Sequence, residues 1–215
     1  MFVPAPELIE RLEAGLRATR PLELVAVAFG LLSVWLSTRE HIVSWPTAIV
    51  NVGIFFFLFW EAKLYADAVL QLVYLALSVY GWYEWLYGGA RHTPLRVTQA
   101  RRVHWLVLTP LFLVVGLALG ALLKRYTDSP VPYFDALLTS ASLVAQWMMT
   151  KKLLENWVIW VVADIVYVPV FILRGLPFTA LQYGVFLGLA VMGWLSWRRS
   201  MATPPASAHA AAAAA

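Results

Sequence analysis

Glu155-Asn156-Trp157-Val158-Ile159-Trp160-Val161-Val162-Ala163-Asp164-Ile165-Val166-Tyr167 decides how this chain is read. The stretch has the composition of the first half of an apolar helix. Asn156, Trp160 and Asp164 recur at i, i+4 and i+8, with Tyr167 at i+11. At about 100° per residue the four share one stripe. Around Asp164, Val161, Ile165 and Val168 suit lipid or a packed core. An ionisable side chain in such a segment costs about 2.5–3.5 kcal/mol on insertion scales, so it must face protein or a water-filled cavity. Two readings stay open: a structural Asp tied to a neighbouring helix, or a solute site with aromatic walls and Asn156 and Asp164 as polar contacts.

Composition widens this to the whole chain. Of 215 residues, 61% are hydrophobic and only 13% charged, where a soluble domain is nearer half and a quarter. The charges lie between long apolar runs, which predicts an all-α polytopic membrane protein embedded in a lipid bilayer. Basic residues gather in loops (Arg91 to Arg102, Lys151-Lys152, Arg198-Arg199), a pattern of topology and headgroup contact that points away from nucleic acid. The chain has no Cys, and its four His are scattered without metal-ligand spacing. No metal or cofactor is expected. The N-terminus opens with Pro4, Pro6, Glu7 and Glu10, unlike a secretory signal.

In chain order, residues 5–20 read as an amphipathic helix on the membrane surface or as a disordered tail. Seven apolar segments are expected near 22–36, 45–60, 68–86, 103–123, 134–149, 157–173 and 178–197. The Pro-, Ala- and Ser-rich tail, 200–215, reads as disordered.

One offset aligns the two halves without a gap. Trp35 pairs with Trp147, Thr38 with Thr150, Trp45 with Trp157 and Ala68 with Ala180, each 112 positions on. Gly81-Trp82-Tyr83-Glu84-Trp85 matches Gly193-Trp194-Leu195-Ser196-Trp197 at the same spacing. The expected organisation is an N-terminal segment (1–21), a three-helix bundle (22–87), a loop and linker helix (88–130), a second bundle (131–199) and the tail (200–215). An odd-numbered repeat joined by one extra crossing places both copies in one orientation, with a solute site between them. Polar stripes agree. Helix 3 carries Asp67, Gln71, Tyr74 and Ser78; helix 5 carries Asp135, Thr139, Ser142 and Gln146; helix 2 carries Thr47, Asn51 and Phe55; helix 7 opens with Thr179, Gln182 and Tyr183. Ser and Thr alone would read as interhelical glue. The positions matching Asn156, Trp160, Asp164 and Tyr167 are Ser44, Ala48, Val52 and Phe55, so the pocket should be chemically lopsided.

Trp45-Pro46 with Asn51, the run Tyr65-Ala66-Asp67-Ala68-Val69-Leu70-Gln71-Leu72-Val73-Tyr74, and Tyr80-Gly81-Trp82-Tyr83-Glu84-Trp85 resemble the first half of the PnuC nicotinamide riboside transporters. Glu155-Asn156-Trp157, Trp160, Asp164 and Gly193 with Trp197 resemble the second half. The resemblance covers 22–199. It implies seven transmembrane helices in a 3+1+3 arrangement like that of the SWEET sugar transporters. It also implies a homotrimer in a bacterial inner membrane and uptake of nicotinamide riboside by facilitated diffusion. Relatives carrying thiamine or riboflavin keep other vitamins open, and Asp164 leaves room for proton coupling. The expected substrate-binding residues are Asn156, Trp160, Asp164, Tyr167, Gln71, Tyr74, Asn51, Trp45, Gln146 and Gln182. Aromatic faces can hold a cationic pyridinium, and amides can bond ribose and carboxamide.

Enzyme motifs are missing: there is no G-x-S-x-G, H-E-x-x-H or P-loop, and no carboxylate paired with Asp164 at helical spacing. Seven Lys and Arg fall on the N-terminal side of the alternating segments and nine on the other (among them Arg39, Arg101, Lys151 and Arg198). That bias predicts a cytoplasmic C-terminus.

Overall fold

The computed structural model describes residues 20–202. The expected surface helix and the tail beyond residue 202 lie outside them. Seven α-helices run in order: α1 (Pro21–Thr38), α2 (Ser44–Glu61), α3 (Tyr65–Tyr87), α4 (Arg102–Tyr126), α5 (Pro132–Thr150), α6 (Asn156–Leu173) and α7 (Pro177–Ala202). Each expected segment is a helix. Pro21 and Pro132 sit in the first turns of α1 and α5, where a missing N–H costs nothing. α1, α2, α4, α6 and α7 are long and apolar enough to cross a membrane. α3 and α5 are the helices that carry the polar stripes through Gln71 and Gln146, and their composition falls short of that mark.

The offset of 112 recurs in the backbone itself. α2 and α6 share their bounds at that spacing, as do the starts of α3 and α7. The α1–α2 turn places Glu40 at φ 55°, and the α5–α6 turn places its mate Lys152 at φ 48°. The α2–α3 turn has Lys63 at φ 60°, while its mate Gly175 meets φ 72° without a Cβ to strain. Thr38 Oγ1 donates to Trp35 O and Thr150 Oγ1 to Trp147 O, both at 2.7 Å. A Cβ on Gly81 would clash with the indole of Trp45, and one on Gly193 with the indole of Trp157. The two glycines let α3 and α7 close on those rings.

Across the two copies, α1 packs on α7 and α3 on α5. The ends of α1, α3, α5 and α7 meet at one end of the molecule. There Trp85 Nε1 donates to Met149 O at 3.0 Å, and its repeat mate Trp197 Nε1 donates to Ser37 O at 2.8 Å. Ser37 and Met149 are themselves repeat mates. Trp45, Trp85, Trp157 and Trp197 form one core cluster, with Trp85 and Trp197 in edge contact at 5.8 Å. Burying four indoles at the junction is a large favourable term, since each removes roughly 150–250 Å² from solvent.

α4 packs on α5 outside this arrangement. The loop leading to it is pinned in a way the sequence did not announce. Thr98 N donates to Lys152 O at 3.1 Å and Leu154 N to Thr98 O at 2.9 Å, a short parallel bridge. Glu155 then accepts from Ala100 N at 2.8 Å.

Candidate functional site

Between the helices lies a cavity of about 560 Å³, within the range of small-molecule sites. It runs from Glu23, in the first turn of α1, to Trp45 and Trp157 at the opposite end. α4 supplies no wall residue. Eight expected residues line it: Trp45, Asn51, Gln71, Tyr74, Gln146, Trp160, Asp164 and Gln182.

Two expected residues are off the wall. Asn156 is fully buried at the start of α6, where its Nδ2 donates to Leu153 O at 2.6 Å. Of its stripe-mates, Trp160 and Asp164, one and two turns further along α6, do reach the cavity. Tyr167 stands behind the wall, 4.7 Å from Tyr183 and stacked on Phe171 at 5.8 Å. Tyr183 and Phe171 are the rings that the cavity sees.

Several wall residues have structural partners as well. Asn51 Nδ2 donates to Ala26 O at 2.7 Å, tying α2 to α1. The Tyr74 hydroxyl lies 2.6 Å from Ser142 Oγ. That Oγ already donates to Thr139 O, which leaves Tyr74 as the donor to Ser142 and joins α3 to α5. Trp45 is 2% exposed and packs edge-on against Trp85, so it closes the cavity floor more than it offers a face.

Asp164 is different. It is 4% exposed, and its carboxyl group makes no hydrogen bond or ion pair among the described residues. The reading of Asp164 as a residue tied to a neighbouring helix therefore has no contact to rest on. Glu23 also lines the cavity, and among the described residues no Lys, Arg or His does. With two carboxyl groups and no fixed cation on its wall among the described residues, the cavity is better suited to a cationic solute, which would supply the missing counter-charge, than to an anion.

The sequence reading missed Glu23, Phe171 and Phe186 as wall residues, and it placed Tyr183 on the stripe of helix 7 without naming it as a solute contact. An aromatic in an apolar helix has the same composition whether it faces lipid or a cavity. The repeat carried the missing signal for some of them. At the offset of 112, Gln71 corresponds to Tyr183 and Tyr74 to Phe186, and all four line the cavity. Val52 and Ala48, the repeat mates of Asp164 and Trp160, also line the cavity, so at these two positions the matched residues differ in chemistry.

The chain is similar in sequence and fold to known proteins. The nicotinamide riboside transporter PnuC of Escherichia coli K12 is 26% identical over 209 residues, covering 83% of this chain and 85% of that protein. PnuC of Neisseria mucosa is 24% identical over 190 residues, covering 83% of this chain and 72% of that one. The riboflavin/roseoflavin transporter RibM of Streptomyces davaonensis is 26% identical over 179 residues, covering 81% and 83%. A crystal structure of the vitamin B3 transporter PnuC has a similar fold, with TM-score 0.66 over 91% of this chain and 90% of that one at 22% identity. A sequence model of the family described as nicotinamide mononucleotide transporter matches residues 20–199, from the approach to α1 into the last turns of α7. This multi-pass membrane protein therefore belongs to the nicotinamide mononucleotide transporter family.

Proposed function

We propose that the chain carries nicotinamide riboside across a bacterial inner membrane by facilitated diffusion. The observation that carries this reading is the cavity: aromatic rings, four amide side chains and two carboxylates, with no basic residue among the described ones. A cationic pyridinium on an uncharged ribose suits those walls. The aromatic faces offer about 0.5–2 kcal/mol each in cation–π contact, and the amides can bond the hydroxyls and carboxamide. A phosphate ester would meet Glu23 and Asp164 and find no Arg or Lys, so the riboside fits where the mononucleotide does not.

The solute contacts in this proposal are Trp160, Asp164, Tyr183, Gln71, Gln146 and Gln182, with Asn51 and Tyr74 shared between solute and packing. The architecture proposed is two three-helix bundles (22–87 and 131–199) in one orientation, joined by α4 in a SWEET-like 3+1+3 plan. The reciprocal tryptophan bonds at repeat-related positions support it. The homotrimer rests on the resemblance to PnuC. The cytoplasmic C-terminus rests on the distribution of Lys and Arg.

A second reading is another vitamin: the likeness to RibM keeps riboflavin, and the resemblance to the PnuC family keeps the cationic thiamine. Riboflavin is neutral and leaves both carboxylates without a role. The test is a panel of nicotinamide riboside, nicotinamide mononucleotide, thiamine and riboflavin, each labelled and offered to proteoliposomes. Saturable uptake of the riboside alone is expected. Preferred uptake of riboflavin or of the mononucleotide would overturn the assignment.

A further inference from the structure

Glu23 lies two residues into α1, and α1 starts at the end of the molecule away from the tryptophan cluster. At that end Glu23, Phe59, Phe171 and Thr179 line the cavity and are only half-buried. The opposite end is closed by four indoles and by the ion pair of Lys152 with Glu40 at 2.9 Å. Glu23 therefore stands at the mouth. Asp164 lies nine residues before the end of α6, which reaches the same side. At 1.5 Å per residue it is about 10 Å deeper than Glu23.

An acid in the first turn of a helix has an ordinary explanation, since it complements the helix dipole. The repeat argues for more. The mate of Glu23 is Asp135, in the first turn of α5. Asp135 is held: Ser129 Oγ donates to it at 2.9 Å, and Arg174 lies 3.6 Å away. Arg20, the basic residue preceding Glu23, is engaged instead with Glu61 at 2.9 Å. Glu23 has no hydrogen bond or ion pair to its side chain among the described residues. Of two equivalent acids, one is tied down outside the cavity and the other is left on its wall.

We infer that Glu23 is a specificity-determining residue, which draws cationic solutes into the mouth and passes them to Asp164. This rests on the solute reading above and adds to it a residue and a kinetic role. A single carboxylate at a mouth acts through long-range attraction, which raises the entry rate and fades with salt. Once the solute is seated, Asp164 holds its charge, so the saturated rate does not depend on Glu23.

The test uses the full chain in proteoliposomes, with nicotinamide riboside and its uncharged dihydro form, which has nearly the same shape. Initial rates are measured at ionic strengths of about 10 mM and about 500 mM. Glu23→Gln should slow uptake of the cation about threefold or more at low salt and much less at high salt. Its saturated rate and its uptake of the dihydro form should match wild type, and Glu23→Asp should keep most of the cation rate. Equal slowing of both forms, or of neither, overturns the inference while leaving the transport function intact. If wild type refuses the dihydro form, salt decides: slowing that persists undiminished at high salt overturns the inference, and slowing that fades supports it. If wild type carries neither, the solute reading falls and this inference falls with it.

Discussion

Lys152 Nζ lies 2.9 Å from Glu40 Oε2, and the two residues are repeat mates, 112 positions apart. Each occupies the left-handed position of its own interhelical turn, so the symmetry of the backbone brings them face to face. The ammonium also sits over the Trp85 ring at 4.5 Å. The side chains are 8% and 21% exposed, so removing one partner strands a charge that water reaches poorly. Breaking a buried pair costs about 3–5 kcal/mol, and the exposure of Glu40 puts this one at or below the lower end. Lys152→Met and Glu40→Gln should each lower the thermal midpoint in detergent. The exchange Glu40→Lys with Lys152→Glu should recover at least half of the loss. A double variant no more stable than the sum of the singles would remove the pair from the account of what closes this end.

Gly81→Ala and Gly193→Ala should destabilise alike. Each new methyl meets an indole ring, that of Trp45 or of Trp157, inside the same cluster. Overpacking of this kind costs about 1–3 kcal/mol. Denaturant unfolding of the two variants should give losses within about 1 kcal/mol of each other, because the packing is repeated. A loss confined to one of them would mean that the geometric repeat is not an energetic one.

Solute affinity should separate wall from core. Trp160→Ala removes a wall and should weaken binding by about 1–3 kcal/mol, or roughly 5–150-fold, by analogy with base–aromatic stacking. Gln71→Leu, on the other bundle, should also weaken it. Asn156→Ala should instead cost stability, since it loses the bond to Leu153 O, and leave affinity near wild type. Calorimetric titration of folded variants checks all three. An Asn156 variant that folds well but does not bind would return that residue to the site.

Transport is expected to be passive. A coupled carrier needs an ion site whose occupancy biases the conformational equilibrium. Proton relays show chains of Asp, Glu or His through the membrane, and here Asp164 stands alone at mid-depth among the cavity residues. Wild-type proteoliposomes under an imposed pH gradient should equilibrate solute without concentrating it. Asp164→Asn should lose affinity yet still equilibrate. Accumulation above the external level by wild type, absent in the Asn variant, would make Asp164 a coupling site and end the passive mechanism.

Much of the fold was legible before any coordinates. Hydropathy and helical period are local, so the segments and their polar stripes could be read directly. The repeat could also be read, because Trp, Gly and Thr at one spacing mark the same turns and close approaches twice. Seeing Asp164 on the stripe of Trp160 needed only the angle per residue. Wall membership is another matter, because it depends on which helices face each other across the molecule. Asn156 shares that stripe and is still buried at a turn, since the tryptophan cluster takes up that end of α6. Tyr167 packs against Tyr183 and Phe171, and those two rings line the cavity in its place. Glu23 and Asp135 are equivalent in sequence, yet Arg174 and Ser129 tie one down and nothing among the described residues holds the other. Those outcomes follow from long-range packing, which no local pattern encodes.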